Sequence, residues 1–159
     1  MNDYLSKKNK KIIAWEEILD CNVPQDIIIH WWKYRGNEDR YAIRALNSGY
    51  ELLCSPNKYT YINFPDTLHP WLGTRKLTLE DSYSIDYTPG IRTNEVPAEN
   101  LENILGVQAC LWGIFEIKHQ YSLMYPRILA IAEKAWSSIS VTDFEPFLER
   151  ADNFRVYSP

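Results

Sequence analysis

No apolar run in the 159 residues approaches the roughly 20 needed to cross a bilayer. The first eleven residues, Met1 to Lys11, are polar and lysine-rich with no apolar segment behind them, so no secretion signal is expected and the compartment is left open. Cysteine is scarce. Cys21, Cys54 and Cys110 are too few to pair completely and lack metal-ligand spacing, which points to reduced thiols, with Cys54 and Cys110 as small buried hydrophobes. The three histidines, His30, His69 and His119, are scattered, so neither a metal nor another cofactor is expected. There is no excess of basic charge either. A net charge of -4 argues against nucleic acid as a partner, and the cluster Lys7, Lys8, Lys10 and Lys11 reads as a solvated helix end. Hairpin signals are missing throughout.

What the chain does have is apolar content of 45%, enough for a packed core at single-domain size, and six tryptophans. Exposed aromatic faces are suited to sugars, because the apolar face of a pyranose packs on a ring. Trp71 and Trp136 are instead expected to be core or interface residues.

Four strand–helix units can be traced. Asn2 to Asn9 reads as the tail of a helix. Lys11 to Trp15 is a first strand, followed by a helical turn from Glu16 to Leu19 that Asn22-Val23-Pro24 breaks. Asp26 to Trp32, rich in β-branched residues, is a second strand of the buried parallel kind. Gly36 and Asn37 form a loop. Glu38 to Asn47 is a helix with Tyr41, Ala42, Ala45 and Leu46 on one face, stopped by Ser48-Gly49. Tyr50 to Cys54 is a third strand. Lys58 to Arg75, punctuated by Pro65, Pro70 and Gly73, reads as a long irregular segment of the kind that carries function or forms a lid. Thr78 caps a helix to Tyr83 with Asp81 three residues on, Asp86 to Pro97 is loop, and Ala98 to Asn103 is a short helix.

Leu105 to Leu111 is the fourth strand, opened by Gly106, with Val107, Ala109 and Leu111 alternating against Gln108, Cys110 and Trp112. A polar break follows. From Tyr125 the period becomes helical, with Tyr125, Ile128, Leu129, Ala132, Ala135 and Trp136 on one face, and Thr142-Asp143 can cap a last helix to about Asn153. Alternation of strands and helices implies an α/β fold with parallel strands and right-handed crossovers. Four parallel strands then end in aromatics, Trp15, Trp32, the Tyr59/Tyr61 pair and Trp112. Rings at the carboxyl ends of parallel strands would converge on a ligand pocket with one apolar wall, the lesser alternative being that each ring packs beneath a loop.

The pattern Leu105-Gly-x-Gln-Ala-x-Leu-Trp112, followed by Tyr125-Pro-Arg127 and Ala132-Glu-x-x-Trp136, resembles the last βα unit of family 20 glycoside hydrolases, the β-N-acetylhexosaminidases. Trp15 in Ala-Trp-Glu-Glu-Ile-Leu matches the family's Gly-Trp-Asp-Glu-Ile-Leu, and Ser55-Pro56-x-x-x-x-Tyr61-x-Asn63 looks like its Ser-Pro-x-x-x-x-Tyr-x-Asp. Trp32, just before Lys33, matches the strand-six tryptophan. Its neighbour Trp31 points the other way and should pack outward.

The resemblance implies a partial TIM barrel, with four parallel βα units resembling strands five to eight. Residues 1–137 would form the C-terminal half of a (β/α)8 barrel and 138–159 a C-terminal helix and tail. It also implies substrate-assisted hydrolysis of terminal N-acetylglucosamine or N-acetylgalactosamine, in which the substrate's own acetamide oxygen attacks the anomeric carbon. Trp15, Trp32 and Trp112 would enclose the acetamide methyl, and Tyr61 would donate to its carbonyl oxygen. Asn63 and Glu116 would hold sugar hydroxyls.

Three departures stand out. The family's Gly-Gly-Asp-Glu motif, which carries the general acid, is absent from these 159 residues. Asn63 stands where the family has Asp. The family's Trp-x-Glu becomes Trp112-Gly113-Ile114, with Glu116 two residues late. The expectation is therefore a portion of a β-N-acetylhexosaminidase that is inactive alone, the alternative being a non-catalytic remnant that binds N-acetyl sugars or has no function. Its expected partner is an N-acetylhexosamine-containing glycan. Open barrel edges would invite association with further copies, and no membrane partner is expected. Adjacent on a helical turn, Glu16 and Glu17 point about 100° apart and cannot flank one bond, so they are assigned structural or solvated roles. Glu133 is assigned to local charge neutralisation, and His30 to the core or to the support of site residues.

Overall fold

The computed structural model describes residues 1–34, 39–63, 77–89, 94–113, 117–137 and 140–154. The described chain divides into two compact units. One comprises Met1–Asn57 with Asp86–Gln108, the other Lys58–Ile85 with Ala109–Pro159.

The first unit is built on a four-stranded parallel sheet of order β1-β2-β3-β4, with β1 Ile13–Trp15, β2 Ile28–Trp31, β3 Leu52–Cys54 and β4 Ile104–Val107. Sequential order in an all-parallel sheet is what repeated right-handed crossovers produce. Every residue of β2 is buried, so its apolar run needs no alternation. Trp31 and Ile29 join Leu52, Cys54, Ala42, Ala45 and Leu46 in one core, the last three from α2 Arg40–Asn47. Ser48 closes α2, and Gly49 at φ +77 takes the left-handed conformation that ends a helix cheaply only at glycine. A five-residue helix, α1 Asn2–Ser6, precedes the sheet, and a 3-10 turn Glu16–Asp20 follows β1 directly.

The strands are shorter than their apolar runs. Leu105 to Leu111 contributes only the segment through Val107, and Gly106 lies inside β4 at φ +141, beside the register shift against Leu52 and Leu53. A bulge of this kind needs a residue free to take positive φ.

In the second unit the segment after β3 is not irregular at its start. Asn57–Thr60 forms a helical turn, α3, with Tyr59 and Thr60 buried. Residues 64–76, including Pro65, Pro70, Trp71 and Gly73, lie outside the described residues, as do Gly36 and Asn37. The polar stretch before Tyr125 is also helical, as α5 Ile117–Met124, and α6 Arg127–Trp136 follows a cis Tyr125–Pro126 peptide.

The buried face of α6 is rotated from the expected one: Arg127, Ala130, Ile131 and Lys134 face inward, and Ala132, Ala135 and Trp136 are exposed. Long cationic stems cover apolar surface while their heads find carbonyls. Arg127 donates to Leu77 O at 2.9 Å and Lys134 to Val141 O at 2.5 Å. Trp136, expected in a core or interface, is 94% exposed. The helix α4 Leu79–Tyr83 carries a full capping box, with the Thr78 side chain accepting from Asp81 N and Asp81 accepting from Thr78 N. Thr78→Ala removes half of this box and is expected to cost about 1 kcal/mol in urea unfolding. The last helix, α7 Phe144–Asn153, packs Phe147 and Ala151 against Tyr83 and Ala130.

Candidate active site

In the first unit the parallel register pairs Trp15 with His30, and the two rings stack with centroids 4.2 Å apart and 13° between planes. His30 is buried, and its Nε2 lies 2.7 Å from Ser55 Oγ, which in turn donates to Gln108 O at 2.9 Å. A serine hydroxyl has one proton to give, so Ser55 accepts from His30 Nε2–H. Burial lowers the histidine pKa below its ordinary value, keeping it a neutral flat support for Trp15.

Trp32 stands immediately past the end of β2. Its ring meets Trp15 edge-on, with centroids 6.4 Å apart at 79°. Its indole N–H donates to both carboxylate oxygens of Glu17, at 3.1 and 3.3 Å, and Lys33 Nζ sits 2.7 Å from Glu17 and 5.4 Å from the centre of the Trp32 ring. The Lys33 partnership lowers the pKa of this partly exposed carboxylate despite some desolvation. Trp31, as its alternate position demands, is buried in the core, with its indole donating to Lys33 O at 2.7 Å.

In the second unit, Tyr61 forms an isolated parallel bridge with Cys110. Cys110 N donates to Thr60 O and Ile62 N to Cys110 O, both at 2.9 Å. This pairing sets the Tyr61 and Trp112 rings 6.3 Å apart at 40°. Tyr61 is largely buried and Trp112 is 47% exposed. Asn63 is fully buried, and its Oδ1 accepts from Trp112 N at 3.3 Å. With Oδ1 so engaged, its amide N–H groups point elsewhere, and Nδ2 has no hydrogen-bond partner among the described residues.

The structure thus brings Trp15 and Trp32 together in one unit, and Tyr61, Asn63 and Trp112 in the other. Glu116 lies outside the described residues. Among the described residues no group of three His, Cys, Asp or Glu could hold a metal ion, and no helix is long and apolar enough to cross a membrane. Cys54 and Cys110 are buried thiols, and burial pushes the Cys54 pKa far up, which makes it inert at neutral pH.

The description of the glycosyl hydrolase family 20 catalytic domain matches residues 1–139. The chain belongs to that family. A β-hexosaminidase of Porphyromonas gingivalis is 29% identical over 156 residues, covering 94% of this chain and 19% of its own length. The β-N-acetylhexosaminidase structure from Bacteroides fragilis aligns with a TM-score of 0.74 at 34% identity, over 96% of this chain and 31% of that one. A family 20 exo-β-N-acetylglucosaminidase from Vibrio harveyi, solved in complex with N-acetylglucosamine, aligns with a TM-score of 0.76 at 26% identity, over 95% and 24%. The chain therefore spans about a fifth of that curated relative and under a third of those solved structures. Its four parallel βα units correspond to part of a TIM barrel.

In this family 20 chain the structural role expected for Glu16 and Glu17 and the core or supporting role expected for His30 agree with the geometry, and what sequence reasoning missed is the target of the two carboxylates, the Trp32 region. The available signal was placement: the pair directly follows Trp15, and Lys33 directly follows Trp32.

Proposed function

We propose that this chain carries the N-acetyl-sugar-binding part of a β-N-acetylhexosaminidase acting on terminal N-acetylglucosamine or N-acetylgalactosamine, and that these 159 residues bind such sugars without hydrolysing them. The reading rests on one observation: Trp15 and Trp32 stand edge-on at the carboxyl ends of adjacent parallel strands, with Trp15 38% exposed. Ring faces presented there are suited to an acetamide methyl. The family resemblance, rather than the placement of one unit against the other, assigns the Tyr61 hydroxyl as donor to an acetamide carbonyl oxygen and Trp112 as a ring for an acetamide methyl. Asn63 and Glu116 are assigned to sugar hydroxyls.

Substrate-assisted cleavage asks little covalent chemistry of the protein. The acetamide oxygen attacks the anomeric carbon, so the protein has to hold that group in the attacking pose and protonate the leaving oxygen. Holding is within reach of rings and a phenol. Protonation requires an acid, and the family's Gly-Gly-Asp-Glu acid is not in this sequence. Loss of a general acid costs about 10² to 10⁴ in rate.

Titration of the chain with N-acetylglucosamine-thiazoline is expected to show saturable binding, with no turnover of a chromogenic N-acetylglucosaminide. Trp112→Ala should weaken that binding at least about tenfold, the scale of one lost ring contact. Turnover by the purified chain would overturn the assignment as a binding part, and binding unchanged by Trp112→Ala would remove Trp112 from the site.

A further inference from the structure

β1 ends at Trp15 because the chain turns into the 3-10 helix at Glu16, while β2 runs on toward Trp32. Along β2 the even-numbered N–H groups face β1, as Ile28 N does in donating to Ile12 O, so Trp32 N loses the ladder carbonyl that a longer β1 would offer, and such a donor must be satisfied elsewhere. Glu16 Oε2 accepts from Trp32 N at 2.9 Å and from Lys33 N at 3.3 Å. The Glu16 side chain is fully buried, and Oε1 has no hydrogen-bond partner among the described residues. Packing alone does not ask for this arrangement. A charged group half-satisfied in the interior is costly, and here it is bonded to the backbone of a residue that carries a ring of the proposed sugar face.

We propose that Glu16 is a positioning residue. Its carboxylate stands in for the missing ladder carbonyl, fixes the backbone at Trp32 and Lys33, and so sets the Trp32 indole at its edge-on angle to Trp15. Glu17 completes the grip from outside through the indole N–H. The consequence for binding rests on the reading of Trp32 as a sugar-binding residue; the grip itself does not.

Burial raises the Glu16 pKa from 4.5 to about 7, against the lowering effect of the two backbone N–H groups. The charges acting on it are Glu17, on the same turn, which raises the pKa, and Lys33 beyond β2, which lowers it. From β2 the titratable neighbour is His30, bonded to Ser55. From α2, Tyr41 and Arg44 engage Asp20, and Arg40 lies over the Tyr41 ring.

Two opposite trends follow. Between pH 4.5 and about 7 the folded chain keeps a proton at Glu16 that the unfolded chain has released, so stability falls as pH rises through that window and levels off above it. The hold on Trp32 runs the other way, because a carboxylate is the stronger acceptor: firm above the pKa, looser below it. A merely structural group would move stability alone.

The test is an amide and indole N–H titration of the ligand-free 159-residue chain by NMR, with N-acetylglucosamine, which has no titrating group, as the binding probe. The Trp32 and Lys33 amides and the Trp32 indole N–H are expected to shift together with a midpoint near 7. The shared titration should vanish in Glu16→Gln. Binding should weaken about tenfold from pH 8 to pH 6 in the wild type, the scale of one charged hydrogen bond, and stay level in Glu16→Gln. Absence of the titration in the wild type, or its persistence in Glu16→Gln, would overturn the proposal. The wild-type titration decides even if the variant does not fold. Intact titration without N-acetylglucosamine binding at either pH would support the grip while overturning the sugar-binding reading of Trp32.

Discussion

Trp31→Ala is expected to destabilise the chain by about 3–5 kcal/mol, and Trp32→Ala by about 1 kcal/mol while removing most sugar binding. The two residues are neighbours of one kind, and only alternation at the end of β2 separates them. Trp31 is 1% exposed, packed in the core with Ala42, Ala45 and Leu46, and its ring lies 6.2 Å from that of Tyr34. Truncating it leaves a cavity that the surrounding strands cannot close, on top of the lost transfer free energy. Set against a total stability of about 5–15 kcal/mol, that loss leaves a substantial unfolded population.

Trp32 sits half-buried past the end of the strand, held by Glu17 and the edge of Trp15. Its removal exposes little that was not already near solvent. Urea unfolding of both variants, paired with N-acetylglucosamine titration, separates the roles. Equal destabilisation by the two substitutions would place both rings in the core and end the assignment of Trp32 to a binding face.

The sequence made the sheet legible because its parallel strands are buried apolar runs separated by clear punctuation. Ser48-Gly49 and the Thr78–Asp81 box mark helix ends chemically, and the structure bears both out. The inward face of α6 was misjudged for a physical reason. Arg127 and Lys134 look like solvent-facing charges, yet each reaches a backbone carbonyl whose position no sequence pattern reveals. Helix α5 was missed because Lys118, His119 and Gln120 interrupt any apolar stripe.

At the candidate site, motif residues were legible because they recur at fixed spacing, as in Ser55-Pro56 with Tyr61. A supporting role was legible for His30, but the partner of each supporting group was not: the stacking of His30 on Trp15 and the hold of Glu16 and Glu17 on Trp32 follow from cross-strand register, which depends on where β1 ends to the residue. A sheet one residue longer at β1 would leave Glu16 without its task. The hold on Trp32 thus depends on a strand stopping early, which hydropathy cannot show.

Phe147→Ala is expected to be the most damaging single change in the second unit, at about 3–5 kcal/mol. Two interactions tie α7 to its neighbours, and magnitudes decide between them. Arg150 pairs with Glu133 at 2.5 Å, and Glu133 accepts from Tyr83 OH at 3.0 Å. Hydrogen bonding to Arg150 lowers the Glu133 pKa, but Arg150 is half exposed, and a pair so placed contributes about 0.2–1 kcal/mol. The Phe147 ring is 2% exposed and stacks on Tyr83 with centroids 4.6 Å apart, in one buried cluster with Ala130 and Ala151. Burial of that ring outweighs the ion pair severalfold. Hydrogen exchange followed by mass spectrometry should therefore show peptides from α4, α6 and α7 losing protection in Phe147→Ala, with much smaller losses in Arg150→Ala. If Arg150→Ala proved the more damaging of the two, the polar link rather than the aromatic stack would be what holds α7 in place.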